Sequence, residues 1–183
     1  MTTNVKIDVL LQELEARKAS FGSNHITVVE TLNAIGLSYN FAENDYDKAL
    51  YYHQSAFQIL VTKKTNARQL VDISTTLSDI GNCHMALDDL LMARRVFLQA
   101  KTIMDRSKVS AEHPRCKMLS KSIQYRLEHI NRSTVTLDPS IKRCKSSMFE
   151  SYSSSKRSIP MSSGNHSSSI DMACLQLKHM KNL

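Results

Sequence analysis

One stretch of this chain occurs twice, 45 residues apart, with the same internal spacing. The first copy runs Thr31-Leu32-Asn33-Ala34-Ile35-Gly36-Leu37-Ser38-Tyr39 and the second Thr76-Leu77-Ser78-Asp79-Ile80-Gly81-Asn82-Cys83-His84. In each, a leucine is followed at +3 by isoleucine, at +4 by glycine and at +7 by Tyr39 or His84. A second block recurs behind the first: Ala49 and Ala56, then Ala93 and Ala100, seven apart in both copies. Self-similarity at such a period marks stacked repeat units, each of which buries its apolar face only on its neighbours.

The spacings have a physical reading. Residues 32, 35, 36 and 39 share one face of a 3.6-period helix, as do Leu77, Ile80, Gly81 and His84. Gly36 and Gly81 sit inside that apolar face, where glycine costs about 1 kcal/mol relative to alanine. A residue so unfavourable, recurring at one repeat position, predicts that a neighbouring helix passes close by. Ala49/Ala56 and Ala93/Ala100, two turns apart on the following helix, would supply the matching shallow surface. Asn44-Asp45 and Asp88-Asp89 mark the turn between the two helices, since Asn and Asp satisfy turn backbone groups and cap the second helix. The unit is helix, short turn, helix. An ordinary four-helix bundle would account for two small residues but not for both helices and their turn recurring together.

These residues resemble the tetratricopeptide repeat, and more closely the variety found in kinesin light chains. Leu14-Glu15-Ala16-Arg17-Lys18-Ala19-Ser20-Phe21-Gly22-Ser23-Asn24-His25 is similar to that family's inter-repeat passage, in which a helix end runs through glycine to an Asn/Asp-His pair. Tyr46-Asp47-Lys48-Ala49-Leu50 and Gln54-Ser55-Ala56 match the family's second helix, and the resemblance covers about residues 10 to 130. Three departures stand out. Leu90-Leu91-Met92-Ala93-Arg94 replaces the usual Tyr-x-x-Ala, His53 stands where the second copy has Phe97, and Gly36 to Ala49 spans 13 residues against 12 from Gly81 to Ala93.

The pattern predicts six helices. Residues 5–20, with Val5, Val9, Leu10 and Leu14 on one face, look like the second helix of a half-repeat. Residues 26–62 and 67–106 form two full repeats. Residues 113–131 form the last helix, opened by Pro114 in a first turn. Aligned on its leading His-Pro, this helix carries Gln124 where the repeats carry glycine, which suits a cap better than another repeat half. A half-repeat at the start leaves one face of helix 5–20 without a neighbour. Such an array could be marginally stable alone, could self-associate, or could be part of a longer chain.

Residues 133–183 change character. Residues 146–169 hold twelve serines and few large apolar groups, too little to offset ordering entropy. Residues 133–183 carry seven Lys/Arg against three acids, where residues 1–132 carry 17 against 14. The expectation is an all-α, short tetratricopeptide-type α-solenoid over 1–132 with a basic, disordered Ser-rich tail over 133–183. Ser146 and Ser158 follow basic pairs and are candidate phosphorylation sites.

No catalytic or metal-binding motif appears. Cys83, Cys116, Cys144 and Cys174 are widely spaced, with no Cys-x-x-Cys, and read as reduced thiols in a cytoplasmic setting. His25, His53, His84, His113 and His129 fall at repeat positions or helix starts, and there is no glycine-rich phosphate loop. No apolar run approaches the ~20 residues of a membrane helix. The net charge of +7 permits nucleic acid, but the basic residues are scattered among acids and no aromatic-basic motif accompanies them. The expectation is therefore no enzyme, no cofactor, no metal, no membrane and no nucleic acid.

Partner binding remains, and the family resemblance implies where. In tetratricopeptide arrays the first helices line a concave groove that holds a peptide. Asn33, Leu37, Asn40 and Phe41 would line it in the first repeat, Ser78, Asn82, Met85 and Ala86 in the second, with Ser122 and Arg126 extending the row. Leu32, Ile35, Gly36, Tyr39, Ala49, Ala56, Leu77, Ile80, Gly81, His84, Ala93, Phe97 and Ala100 would pack the repeats. Asparagine is apt in such a groove because its amide both donates and accepts. The reading is a non-catalytic adaptor for a peptide segment of a protein partner, with possible self-association. The alternative is a regulatory or nucleic-acid-associated factor working through the basic tail.

Overall fold

The apolar periodicity and the caps resolve into six helices in a computed structural model, which describes residues 2–63, 66–107 and 113–137. The helices are α1 Thr2–Phe21, α2 Ile26–Ser38, α3 Tyr46–Val61, α4 Ala67–Ala86, α5 Leu90–Arg106 and α6 Pro114–Leu137, and no strand occurs among the described residues. Ser146, Ser158 and most of the expected tail lie outside the described residues. Helix α6 continues to Leu137, so residues 133–137, assigned to the tail on composition, are helical instead.

Local chemistry sets each boundary. Gly22, at φ 84°, closes α1 in a conformation that only glycine adopts without strain. Asn66 caps α4 by accepting from the Gln69 amide. The two intra-repeat turns use one device: a left-handed residue, Asn44 or Asp88, followed by an aspartate N-cap. Asp45 accepts from the Lys48 amide and Asp89 from the Met92 amide. The extra residue of the first repeat is absorbed ahead of this turn, where Tyr39–Glu43 widens into a π-helical turn.

Each helix packs mainly on those before and after it in the chain, and one apolar core runs through them from Leu14 in α1 to Ile130 in α6. In α1 the buried face is Ile7, the half-buried Leu10 and Leu11, and Leu14. Val9, expected on that face, is 55% exposed. Five residues from Leu14 place it about 140° round the helix. The outward side of α1 is polar from Lys6 through Asp8, Gln12 and Glu15, so the half-repeat ends in a solvated face. Helix α6 buries Cys116, Ile123, Leu127 and Ile130 while Gln124 points outward and donates to Glu128. Both flanking helices thus present an inner apolar stripe and a largely polar outer side, broken by the exposed Val9, Phe21, Met118 and Tyr125.

The crossing inside each repeat differs from expectation in one respect. Ala49, Ala56, Ala93 and Ala100 are fully buried. The groups seated on the glycines, however, are rings four residues beyond the first alanine. A Cβ placed on Gly36 would lie 2.6 Å from His53 Nε2, and one on Gly81 would lie 2.8 Å from the Phe97 ring. The glycines are sockets for aromatic knobs. Alanines 49 and 93, one turn earlier, are wholly buried beside them.

Among the described residues no helix is long and apolar enough to cross a membrane.

Candidate functional site

From residue 71 to residue 84, α4 is buried almost all round. Val71, Ile73, Ser74, Thr76, Leu77, Ser78, Ile80, Gly81, Cys83 and His84 are out of solvent. Only Asp72, Thr75, Asp79 and Asn82 keep partial exposure, and their spacing of 3, 4 and 3 makes them a single stripe. This stripe runs between α2 and α6. Asp72 feels the charges of Glu30 on α2, Arg115 on α6 and Arg68 on its own helix.

The repeat register extends the stripe to its neighbours. Subtracting 45 maps Asp79 and Asn82 onto Ala34 and Leu37 of α2, and matching Gly81 to Gln124 maps them onto Ser122 and Tyr125 of α6. In that register Asp79 is matched by two small residues, and Asn82 by two large apolar ones. Leu37 is 37% exposed and Tyr125 60%, and Phe41, one turn beyond Leu37, is 77% exposed. Met118 on α6 is exposed as well. The α4 polar stripe is thus accompanied by several exposed apolar side chains on α2, the turn after it and α6.

The electrostatics of the stripe centre on Asp79. Burial pushes its carboxyl up to about 7, and among the described residues no cation offsets that burial. The Cys83 thiol, one turn away, is pushed up to about 12 by burial and by the Asp79 charge, so it is not a thiolate at neutral pH. The amide oxygen of Asn82 is buried without a donor among the described residues.

The residues expected to line the groove separate into those left in reach of solvent and those engaged elsewhere. Leu37, Phe41, Ala86 and Ser122 are exposed and Asn82 is half-buried. Asn40 is half-buried in the π-helical turn, Met85 packs against the core, Arg126 is half-buried, and Ser78 is 4% exposed. Asn33 is committed to the protein itself. Its Nδ2 donates to Thr76 Oγ1 at 3.0 Å, tying α2 to α4, and its Oδ1 accepts from His53 Nδ1 at 3.1 Å. That bond fixes the proton of His53 on Nδ1 and leaves bare the Nε2 that rests on Gly36. Burial lowers the His53 imidazole to about 4.

The second repeat replaces the Asn33–His53 pair by Ser78 and Phe97, so the asparagine and the histidine go together. Asn33→Ala is therefore expected to cost about 1–3 kcal/mol, because a buried imidazole N–H loses its acceptor. The double change Asn33→Ser with His53→Phe rebuilds the pairing of the second repeat and should recover most of that loss. Urea midpoints measure both. An Asn33→Ala protein with the wild-type midpoint would contradict the role assigned to the bond.

Tyr39 and His84 occupy one repeat position with different partners. Tyr39 stacks on Tyr52 at 5.6 Å and carries Lys48 over its ring at 5.1 Å. His84 Nδ1 lies 3.6 Å from the capping Asp89, and burial lowers its imidazole against the pull of that carboxylate. On another flank, a cavity of about 530 Å³ opens between α1 and α3, lined by Leu11, Leu14, Val28, Leu32, Tyr52 and Ile59 among others.

The residue of the stripe that sequence reasoning did not single out is Asp79. It was hidden because its repeat equivalent is the featureless Ala34, though a lone acid between Ser78 and Ile80 in an apolar helix was a visible signal.

The chain matches no protein-family model and no curated protein.

Proposed function

We propose that this protein is a non-catalytic adaptor, a short α-solenoid of tetratricopeptide type that holds a peptide segment of a partner protein. The observation that carries the reading is the α4 stripe, where among the described residues Asp79 meets no counter-charge and the Asn82 amide oxygen no donor, together with the exposed Leu37, Phe41 and Tyr125. Between residues 71 and 84 an otherwise buried helix retains this one polar stripe, and large apolar groups stay exposed on α2, its following turn and α6. Single exposed apolar residues need no explanation, but aromatic and aliphatic groups gathered beside unsatisfied polar atoms are the anatomy of an interaction site. The recurring turn chemistry and the ring-on-glycine crossings support the repeat assignment. A groove of this kind buries peptide side chains between first helices while a polar centre fixes register.

The test is affinity purification from the source cell with the full chain, comparing two variants. Leu37→Glu with Asn82→Arg should remove a captured partner while leaving the helical signal intact, since both side chains reach solvent. Lys156→Glu with Arg157→Glu, in the tail outside the described residues, should leave the partner bound. The opposite pattern would favour the second reading, a factor acting through its basic Ser-rich tail.

A further inference from the structure

We propose that a cavity between the first turns of α4 and α6 is a binding site for a phosphomonoester, held by Arg68, His113 and Arg115 and selected by Asp72. The site lies at the end of the α4 stripe remote from Asn82 and stands whether or not the adaptor reading does.

The cavity measures about 500 Å³ and is lined by Arg68, Val71, Asp72, His113, Arg115 and Cys116. Its base is firm. Val71 and Cys116 are buried and belong with Met104 to a small apolar cluster that joins α4, α5 and α6. Around that base Arg68, His113 and Arg115 are exposed and Asp72 is half-buried. Among the described residues no hydrogen bond or ion pair engages any of these four side chains. Arg115 and Arg68 are nonetheless close enough to act on the Asp72 charge. Two guanidinium groups held beside one cavity repel each other, and an anion seated between them relieves the repulsion. Both arginines belong to the first turns of their helices, so the positive ends of two helix dipoles add to their field.

Asp72 decides which anion. Sulfate, carboxylates and the phosphodiesters of nucleic acid offer only acceptors near neutral pH, so each would meet the Asp72 carboxylate acceptor against acceptor. A phosphomonoester differs, because it gives up its second proton only at about pH 6. Its monoanion presents one O–H donor together with acceptor oxygens. The O–H donates to the Asp72 carboxylate, while the remaining oxygens accept N–H groups from the two guanidinium forks and the His113 ring. A cationic ligand would satisfy Asp72 but face both arginines, and an apolar one would leave all four side chains unpaired. The net charge of +7 attracts anions in general, and only this mixed lining separates a phosphomonoester from a sulfate ester of the same shape.

The experiment titrates the isotope-labelled full chain with phenyl phosphate and with phenyl sulfate at pH 6, following backbone amide shifts. Phenyl phosphate should saturate and move the amides of residues 67–72 and 113–117 before any others. Phenyl sulfate should bind roughly tenfold more weakly, since it forfeits one hydrogen bond to a charged group. Arg68→Gln with Arg115→Gln, both at exposed positions, should abolish saturation while the helical signal stays intact. Asp72→Asn keeps the size of the side chain but adds a donor, and should erase the difference between the two ligands. Absence of saturation, equal affinity of the wild type for both ligands, or saturation that survives the double arginine change overturns the inference. A phosphate preference that survives Asp72→Asn overturns it too, because the selecting group would then be another. A phosphoserine peptide and glycerol phosphate, titrated in the same way, distinguish a phosphorylated protein segment from a small phosphate ester, and selective binding of either supports the site. None of these outcomes alters the partner-capture result expected for Leu37→Glu with Asn82→Arg.

Discussion

Gly81→Leu is expected to destabilise the protein severely, by about 3 kcal/mol or more, and to lower the melting temperature of the whole helical signal. Overpacking a well-filled core usually costs about 1–3 kcal/mol, and this site lies at the upper end for a geometric reason. Even a Cβ at residue 81 would sit 2.8 Å from the Phe97 ring, and that ring is fully buried. The ring cannot swing aside, because Ala93, Val96 and Ala100 around it are also fully buried. Relief must come from separating α4 and α5, which are further tied by Ser74 Oγ donating to the Ala100 carbonyl at 2.7 Å. Gly81→Ala should already be destabilising although alanine is the better helix former by about 1 kcal/mol. Gly81→Ala combined with Phe97→Leu, which shortens the knob, should recover part of the loss. Circular dichroism melts of the three variants decide the matter. A Gly81→Leu protein that melts with the wild type would mean the ring does not occupy that socket.

The same crossing shows how far sequence could carry the reading and where it stopped. A glycine recurring at one repeat position announced a close approach, because its cost needs a reason. What approaches was not legible, since the knob is His53 in one copy and Phe97 in the other, two side chains that share only a flat ring. The alanines were the visible repeat, and visibility pointed to them. Asn33 was misplaced for a related reason. An amide at an inward helix position looks like a ligand contact until its partners, His53 and Thr76, are found 20 and 43 residues away. Long-range bonds of that kind leave no periodic trace. The extra residue between Gly36 and Ala49 was plain in the spacing, but that a π-helical turn would absorb it, and not the loop, depended on the Asn44-Asp45 cap keeping its geometry. Boundaries set by a cap, as at Asn66, Asp45 and Asp89, were read correctly to within a residue or so. The end of α6 carries no such punctuation, and it overran the expected limit.

Two buried ionisable groups should make stability depend on pH with opposite signs, and separating them by substitution is the second strong expectation. Burial lowers His53 to about 4 from its ordinary 6.5. The unfolded chain therefore binds a proton that the folded protein refuses, and stability is lost as pH falls from 6.5 toward 4, by about 3 kcal/mol at 1.4 kcal/mol per pH step. Asp79 behaves in reverse. Its carboxyl is raised from 3.8 to about 7, so the folded protein holds a proton the unfolded chain has released. Its contribution is complete below pH 3.8 and is lost as pH rises through 7, on the order of 2 kcal/mol after allowing for the solvent that still reaches it. Between pH 4 and 6.5 the two slopes oppose. His53→Phe should expose the Asp79 slope, giving a protein whose stability relative to wild type climbs as the solution is acidified. Asp79→Asn should do the opposite: more stable than wild type at pH 8, because no charge is buried, with an advantage that shrinks as pH falls and vanishes toward 3.8, where the wild-type carboxyl is neutral in both states. Urea unfolding of the three proteins at pH 4.5, 6 and 8 measures these differences, and comparison with wild type cancels the groups they share, His84 included. An Asp79→Asn protein no more stable than wild type at pH 8 would show that Asp79 already has a counter-charge.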